Sequence, residues 1–536
     1  MNTCFPKLLA FAAAAAFCLA APGAAAQPAA AGLRAIAAES FAATPTARPY
    51  DERDWLQRFY APRAYTPVWS EQQAQLALAL LQGAAAHGLS PDEYGADALG
   101  TLLDKGGAGD PRFDAALTRA MLHYLADLRV GRVRSEYHTA LPDPRLRQFD
   151  PVEQLRAALD GGVLAAAVQS AEPAFPFYAR VKAALAQYRE LAAAPQRALP
   201  STKKIRAGAP YRGAAQLRAH LVLLGDLPPD AAPAADDIYK PELAEGVRHF
   251  QLRHGLEEDG VLGKETMAAL NVPLSQRVRQ LELTLERLRW LPAFGPGRMI
   301  AVNLPAYRLW AVQLGGQDDE TPLEMRVIVG AAVKTETPLF IGQMRYLEFN
   351  PYWNVPRSIA LGEILPKLMR NRAYLAHNDM ELVGPNGAMG DGAVSDAALA
   401  ALRAGTVRIR QRPGPQNALG AVKFAMPNRM NIYLHSTSQR ELFARSRRDL
   451  SHGCIRVEKP VELAHFVLGA RPEWTIEAVE MAMQPGPMRK VNLAAPIPVL
   501  LFYATAMVDR EGRVLFARDV YRRDPLLEHA LDAHRG

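Results

Sequence analysis

The hydrophobic period of this chain changes once. Up to Leu291 apolar residues recur at three- and four-residue spacing, and from Met299 they fall into short runs separated by turn residues. A helical first part and a strand-rich second part call for different layer plans, and 536 residues exceed what one core holds. The expectation is a multidomain α+β protein.

In the helical part, residues 51–192 read as a helical scaffold domain. Leu117, Met121, Leu122, Leu125 and Leu128 mark one helix face, and Pro91-Asp92 and Pro142-Asp143-Pro144 mark starts or turns. His87, His123 and His138 lie at no metal-ligand spacing and read as ordinary histidines. Residues 193–213, with Pro195, Pro200 and Gly208, read as a linker. Residues 214–271 form a compact three-helix unit. Leu217, Leu221 and Leu224 belong to the first helix and Leu243, Val247 and Phe250 to the second, with a tight turn at Asp259-Gly260 before the third. Residues 272–297 carry a bridging helix with Val278, Leu281, Leu285, Leu288 and Leu291, stopped by Pro292.

The strand-rich part spans 298–480, a mostly antiparallel sheet, sandwich or barrel. A helical and Gly/Asn/Asp-rich insertion at about 357–402 is a candidate lid. Residues 481–536 read as a C-terminal hairpin and tail. At the other end, Lys7, the apolar run Leu8 to Ala21 and the small residues Ala24-Ala25-Ala26 read as a signal peptide over 1–26, which implies a periplasmic protein. The Ala/Pro-rich stretch 27–50 reads as a disordered leader. A net charge of +7 with no basic-aromatic clustering suits an anionic envelope polymer and gives no reason to expect nucleic acid.

Export matters for the cysteines. Of three, Cys4 and Cys18 leave with the signal, so Cys454 has no intramolecular disulfide partner. It lies in Ser451-His452-Gly453-Cys454-Ile455-Arg456, fifteen residues after Tyr433-Leu434-His435. A thiol attacks carbonyls as its thiolate, and an imidazole within reach supplies the base. Gly453 permits a sharp turn that aims backbone N–H groups at an oxyanion. Arg456 lies two residues on, on the same side of an extended strand, where it could stabilise a thiolate or hold a carboxylate. Tyr433 shares the face of His435. His435, His452 and Cys454 could in principle hold a metal, but His-Gly-Cys is not a usual zinc pair, so neither metal nor cofactor is expected. The order His…Cys also argues against papain-like hydrolases. The arginines 440, 445, 447 and 448 read either as a solvated loop face or as a clamp for carboxylates.

Phe250-Gln251, Gly255-Leu256, Asp259-Gly260-Val261, Gly263 and Thr266 resemble the bacterial peptidoglycan-binding domain. His435, the fifteen-residue gap and Ser451-His452-Gly453-Cys454 resemble the active-site signature of bacterial L,D-transpeptidases. Asn350-Pro351-Tyr352-Trp353-Asn354-Val355-Pro356 and Asn417-Ala418-Leu419-Gly420 are similar to the large multidomain branch of that family; many members carry asparagine where this chain has Arg456. The resemblance implies that Cys454 attacks a peptidoglycan tetrapeptide stem and that His435, oriented through the backbone at Ser436, acts as base and acid. His452, Gly453 and Ser451 would frame the nucleophile and oxyanion hole. Arg456 and Tyr433 would contact substrate, with Trp353 as core or pocket wall. It also implies thiol acylation by carbapenems, a monomer, and other wall synthases as possible partners. Transfer to a second stem, hydrolysis of the same thioester and a silent wall-binding scaffold remain alternatives, although a silent scaffold has no reason to keep the His435/Cys454 pair.

Overall fold

The structure is a computed structural model, and it describes residues 26–42, 48–137, 145–229, 237–315, 322–389, 394–469 and 471–533. The signal-peptide reading covers residues 1–26, of which 1–25 lie outside the described residues and Ala26 opens the first helix. His138 and Pro142-Asp143-Pro144 also lie outside them.

The scaffold packs around the helix Pro111–Val130, whose apolar face (Leu117, Met121, Leu125, Leu128) is fully buried. Asp110 caps that helix by accepting from the backbone N–H of Arg112 and Phe113. Within the stretch 27–50, residues 27–42 are not the disordered leader expected. Ala26–Ala42 is a helix that packs on Pro111–Val130, with Leu33 and Ala37 buried. Alanine is the best helix former, and the i, i+3, i+4 stripe Leu33, Ile36, Ala37 suffices to dock it. Farther on, Arg48 and Tyr50 reach the buried carboxylate of Asp127.

Residues 193–213 are likewise no free linker. Leu199 and Tyr211 enter the core of the three-helix unit, and Ile205 and Pro210 form backbone bridges to Leu262 and Ile238. The bridging helix Leu274–Arg289 is then tied to the scaffold by a buried ionic knot. Glu286 accepts from the Arg132 backbone N–H (2.6 Å), Arg132 Nε (3.2 Å), Arg289 Nη1 (3.2 Å) and Trp290 Nε1 (3.3 Å). Two buried guanidinium groups meet this carboxylate, Arg132 also pairing with Glu93 (2.9 Å), and removing one member of such a set costs about 3–5 kcal/mol. Glu286→Gln is therefore expected to lower stability by about that much in chemical denaturation; a change under about 1 kcal/mol would contradict the account.

The strand-rich part opens with β1 (Gly297–Asn303), β2 (Arg308–Leu314), β3 (Leu323–Gly330) and β4 (Phe340–Phe349). A small separate sheet follows, made of β5 (Trp353–Asn354), β6 (Met380–Gly384), β7 (Gly387–Ala388) and β8 (Arg408–Gln411). The chain then returns as β9 (Val422–Ala425), β10 (Leu434–His435), β11 (Asp449–Ser451), β12 (Ile455–Val457) and β13 (Arg489–Phe502), and ends in the hairpin β14 (Ala506–Val508) and β15 (Val514–Phe516). The main sheet runs β11-β3-β12-β10-β9-β4-β13-β1-β2, and a β2–β3 pairing closes it on itself. Most pairings are antiparallel, whereas β1–β13, β10–β12 and β11–β3 are parallel.

Two boundaries differ from the sequence reading. Residues 489–502 are not tail but a strand between β4 and β1, so the sheet domain continues past 480. The insertion spans 353–411 rather than 357–402, because β5 and β8 pair at its base over a core of its own, including Ile364, Leu368, Leu399 and Ile409.

Candidate active site

Two adjacent strands, β10 and β12, build the site. Leu434 pairs with Ile455 and His435 with Arg456 in the parallel β10–β12 ladder, and the Ile455 N–H donates to Tyr433 O. Leu434 and Ile455 are fully buried on the core side. Side chains alternate, so Tyr433, His435, Cys454 and Arg456 share the opposite face. The sheet thus brings together four residues that the sequence separates by about twenty positions.

The His435 Nδ1 lies 2.7 Å from Ser436 O, which assigns it as the N–H donor and leaves Nε2 as the basic nitrogen. Ser436 is itself pinned: its Oγ donates to Leu419 O (3.1 Å) and accepts from the Val422 N–H (3.1 Å). Gly420 (φ +62°) lies against that hydroxyl so closely that a Cβ would collide with it and with Thr437 N. The Asn417–Gly420 tract therefore acts on the imidazole through Ser436. Burial, reinforced by the Arg456 charge, pushes the His435 pKa down to about 3.

Cys454 is half-buried. Its Sγ donates to Asn431 O (3.6 Å), and the Tyr433 side chain lies close enough to act on the thiol. Burial raises the thiol pKa from 9, opposed by the Tyr433 contacts and by the charge of Lys423, which sits 4.8 Å over the Tyr433 ring. Burial thus favours the neutral form of both the thiol and the imidazole.

The turn before the thiol is held from the segment between β3 and β4. Thr335 Oγ1 donates to Ser451 O (2.9 Å) and Thr337 Oγ1 to Gly453 O (2.8 Å). Gly453 has φ +110°, but its N–H donates to Ser451 Oγ (3.1 Å), and that hydroxyl donates to Cys454 O (2.6 Å). Ser451 and Gly453 thus fix the shape of the turn, and the Gly453 N–H is engaged within it. The exposed ring of His452 turns to the insertion, with Nε2 2.6 Å from Glu363 Oε1. Glu363 lies in a π-helical turn, Ala360–Ile364, a distortion frequent at functional sites. Trp353 in β5 packs on the insertion's core, and its side chain lies near that of Tyr433.

Arg456 Nη1 donates to Gln439 Oε1 (2.7 Å), while its buried Nε has no hydrogen-bond partner. Two of the loop arginines form no clamp. Arg447 pairs with Asp449 (2.7 Å), and buried Arg448 donates to the carbonyls of Val327 and Tyr307. Glu363, Lys423, Thr335 and Thr337 escaped the sequence reading, because each meets the site only through the folded register and no local motif marks it.

A buried histidine with an oriented imidazole thus stands one strand from a half-buried thiol. Three domain families match the chain: a "Scaffold domain" over 54–185, a "Putative peptidoglycan binding domain" over 213–270 and the "L,D-transpeptidase catalytic domain" over 297–491. A curated relative from Haemophilus influenzae, named "Putative L,D-transpeptidase", is 32% identical over 250 residues, which is 47% of this chain and 49% of that one. The chain thus spans about half the length of the curated relative it matches. A solved fused Zn-dependent amidase/peptidase/peptidoglycan-binding protein from Clostridium acetobutylicum is 13% identical, covering 56% of this chain and 100% of its own, at a TM-score of 0.16. The chain carries an L,D-transpeptidase catalytic domain behind scaffold and peptidoglycan-binding domains.

Proposed function

We propose that this chain is a peptidoglycan L,D-transpeptidase that joins the third residues of two stem peptides through a thioester on Cys454. The observation that carries the reading is the Nδ1–H of His435 fixed on Ser436 O, one strand from Cys454, inside the matched catalytic domain. In the first step the thiol proton passes to His435 Nε2 as sulfur adds to the carbonyl carbon of the third, L-centred residue of a tetrapeptide. The C–N bond to the terminal D-Ala breaks, and its amine leaves with that proton. In the second step the side-chain amine of another stem attacks the thioester, giving its proton through His435 to the departing sulfur. Tyr433 and Trp353 wall the donor site. The Arg456 guanidinium, with its unpartnered Nε, holds a donor carbonyl or carboxylate. His452 holds the insertion over the site through Glu363. The protein works as a periplasmic monomer on stem peptides after loss of its signal segment, with carbapenems as acylating inhibitors.

The test is incubation with purified disaccharide-tetrapeptide and mass analysis of the products. Dimers lacking one D-Ala support transfer. Tripeptide monomers alone would make the chain an L,D-carboxypeptidase, and unchanged tetrapeptide would overturn the reading.

A further inference from the structure

A cavity of about 530 Å³, with no residue of the Cys454 site in its lining, lies where three segments distant in sequence meet. Its walls come from the three-helix unit (His254, Ala269), the bridging helix (Arg277) and the C-terminal stretch (Phe516). That volume lies within the roughly 300–1,000 Å³ of small-ligand pockets.

Arg277 is the unusual wall residue. It is 8% exposed, donates to Gln280 Oε1 (2.9 Å) and Ala269 O (3.1 Å), and lies 4.6 Å from the Phe516 ring centroid. The buried arginines Arg48, Arg132, Arg253, Arg287 and Arg289 each meet a carboxylate. Among the described residues Arg277 meets none. Burial without a counter-charge pulls its pKa down to about 10. The acids on the same wall are occupied elsewhere: Glu528 pairs with Arg279 (3.2 Å), Glu265 with Arg518 (3.1 Å) and Asp524 with Arg287 (2.5 Å). Asp519 accepts from the Tyr503 hydroxyl and the Arg523 N–H. Beside Arg277, His254 is stacked on Phe250 and Phe516 and held neutral by burial. The remaining lining is largely apolar, with Leu256, Val272 and Leu283.

A buried cation without a carboxylate partner, in a cavity whose acids are engaged by other residues and whose remaining walls are largely apolar, selects a ligand with a carboxylate and a small apolar body. We propose that this cavity is a second peptidoglycan site, distinct from the catalytic one, which takes a short stem peptide by its free terminal carboxylate on Arg277. The proposal rests on the peptidoglycan reading above. Because the walls come from the binding unit and from the stretch following the sheet, an occupied cavity ties wall attachment to the catalytic domain.

The probe is an N-acetylmuramyl-tripeptide bearing a diazirine on the sugar, photo-cross-linked to the full chain carrying Cys454→Ala. Adducts are expected in 254–283 and 516–528. Amidating the peptide's terminal carboxylate, or introducing Arg277→Gln, should lower them at least tenfold. Ala268→Trp, an exposed change at the cavity wall, should do the same without disturbing the buried arginine. Adducts confined to 433–456 would overturn the second site while leaving the catalytic reading intact. Cavity adducts indifferent to amidation and to both substitutions would overturn the role of Arg277. Adducts nowhere would count against both readings.

Discussion

Cys454→Ala is expected to leave neither dimers nor tripeptide monomers from a tetrapeptide substrate, a loss on the order of 10³-fold or more. The size follows from what is removed. Without sulfur there is no acyl-enzyme, and both product channels share that intermediate. The substitution should leave the fold nearly untouched, because the side chain is half-buried and the turn is held by Ser451, Thr335 and Thr337 rather than by the thiol. A Cys454→Ala protein that keeps wild-type product formation would remove the mechanism; one that loses activity together with its melting transition would show that the turn depends on the thiol.

The second large effect lies at His435. His435→Gln should cost about 10²–10⁴-fold in acylation, the usual range for a positioned general base. The pH dependence follows from the two neutral groups. With the imidazole held to about 3 and the thiol raised from 9, no limb near 6.5 is expected. Alkylation of Cys454 by iodoacetamide should climb with pH up to and beyond 9. A rate that is flat between pH 5 and 8 would instead reveal a stored thiolate–imidazolium pair. The same histidine affects stability. Its folded pKa lies below the ordinary 6.5, so the unfolded chain binds the proton more readily. Its contribution is full above about 6.5 and is lost as pH falls toward 3. His87, buried in the scaffold and also held to about 3, acts in the same direction.

What the sequence could convey follows from how local each signal is. The helices of the scaffold and of the three-helix unit announce themselves through 3.6-residue spacing. The His435 and Cys454 segment is legible because few chemistries place those residue types in that order. The strand β13 is hidden by Ala494-Ala495-Pro496-Ile497-Pro498, which reads as loop. The register shift between Asn492 and Ile497 takes up the irregularity, a place where a sheet tolerates proline. The helix Ala26–Ala42 is masked by alanine, which is both a signal of low complexity and the best helix former. The insertion's base rests on a two-residue strand, too short for any periodicity. The His452–Glu363 contact joins residues 89 apart and has no sequence signature. The sequence resemblance placed His452 at the oxyanion site, whereas its ring faces the insertion.

The central claim is that Cys454 itself takes the stem acyl group. It is tested most directly by acid-quenching the wild-type protein with disaccharide-tetrapeptide and mapping the adduct by peptide mass analysis. The account predicts one thioester-linked disaccharide-tripeptide on the peptide containing Cys454, with one free D-Ala released for each adduct formed. Release of D-Ala with no adduct on Cys454, or an acyl group on any other residue, would contradict it.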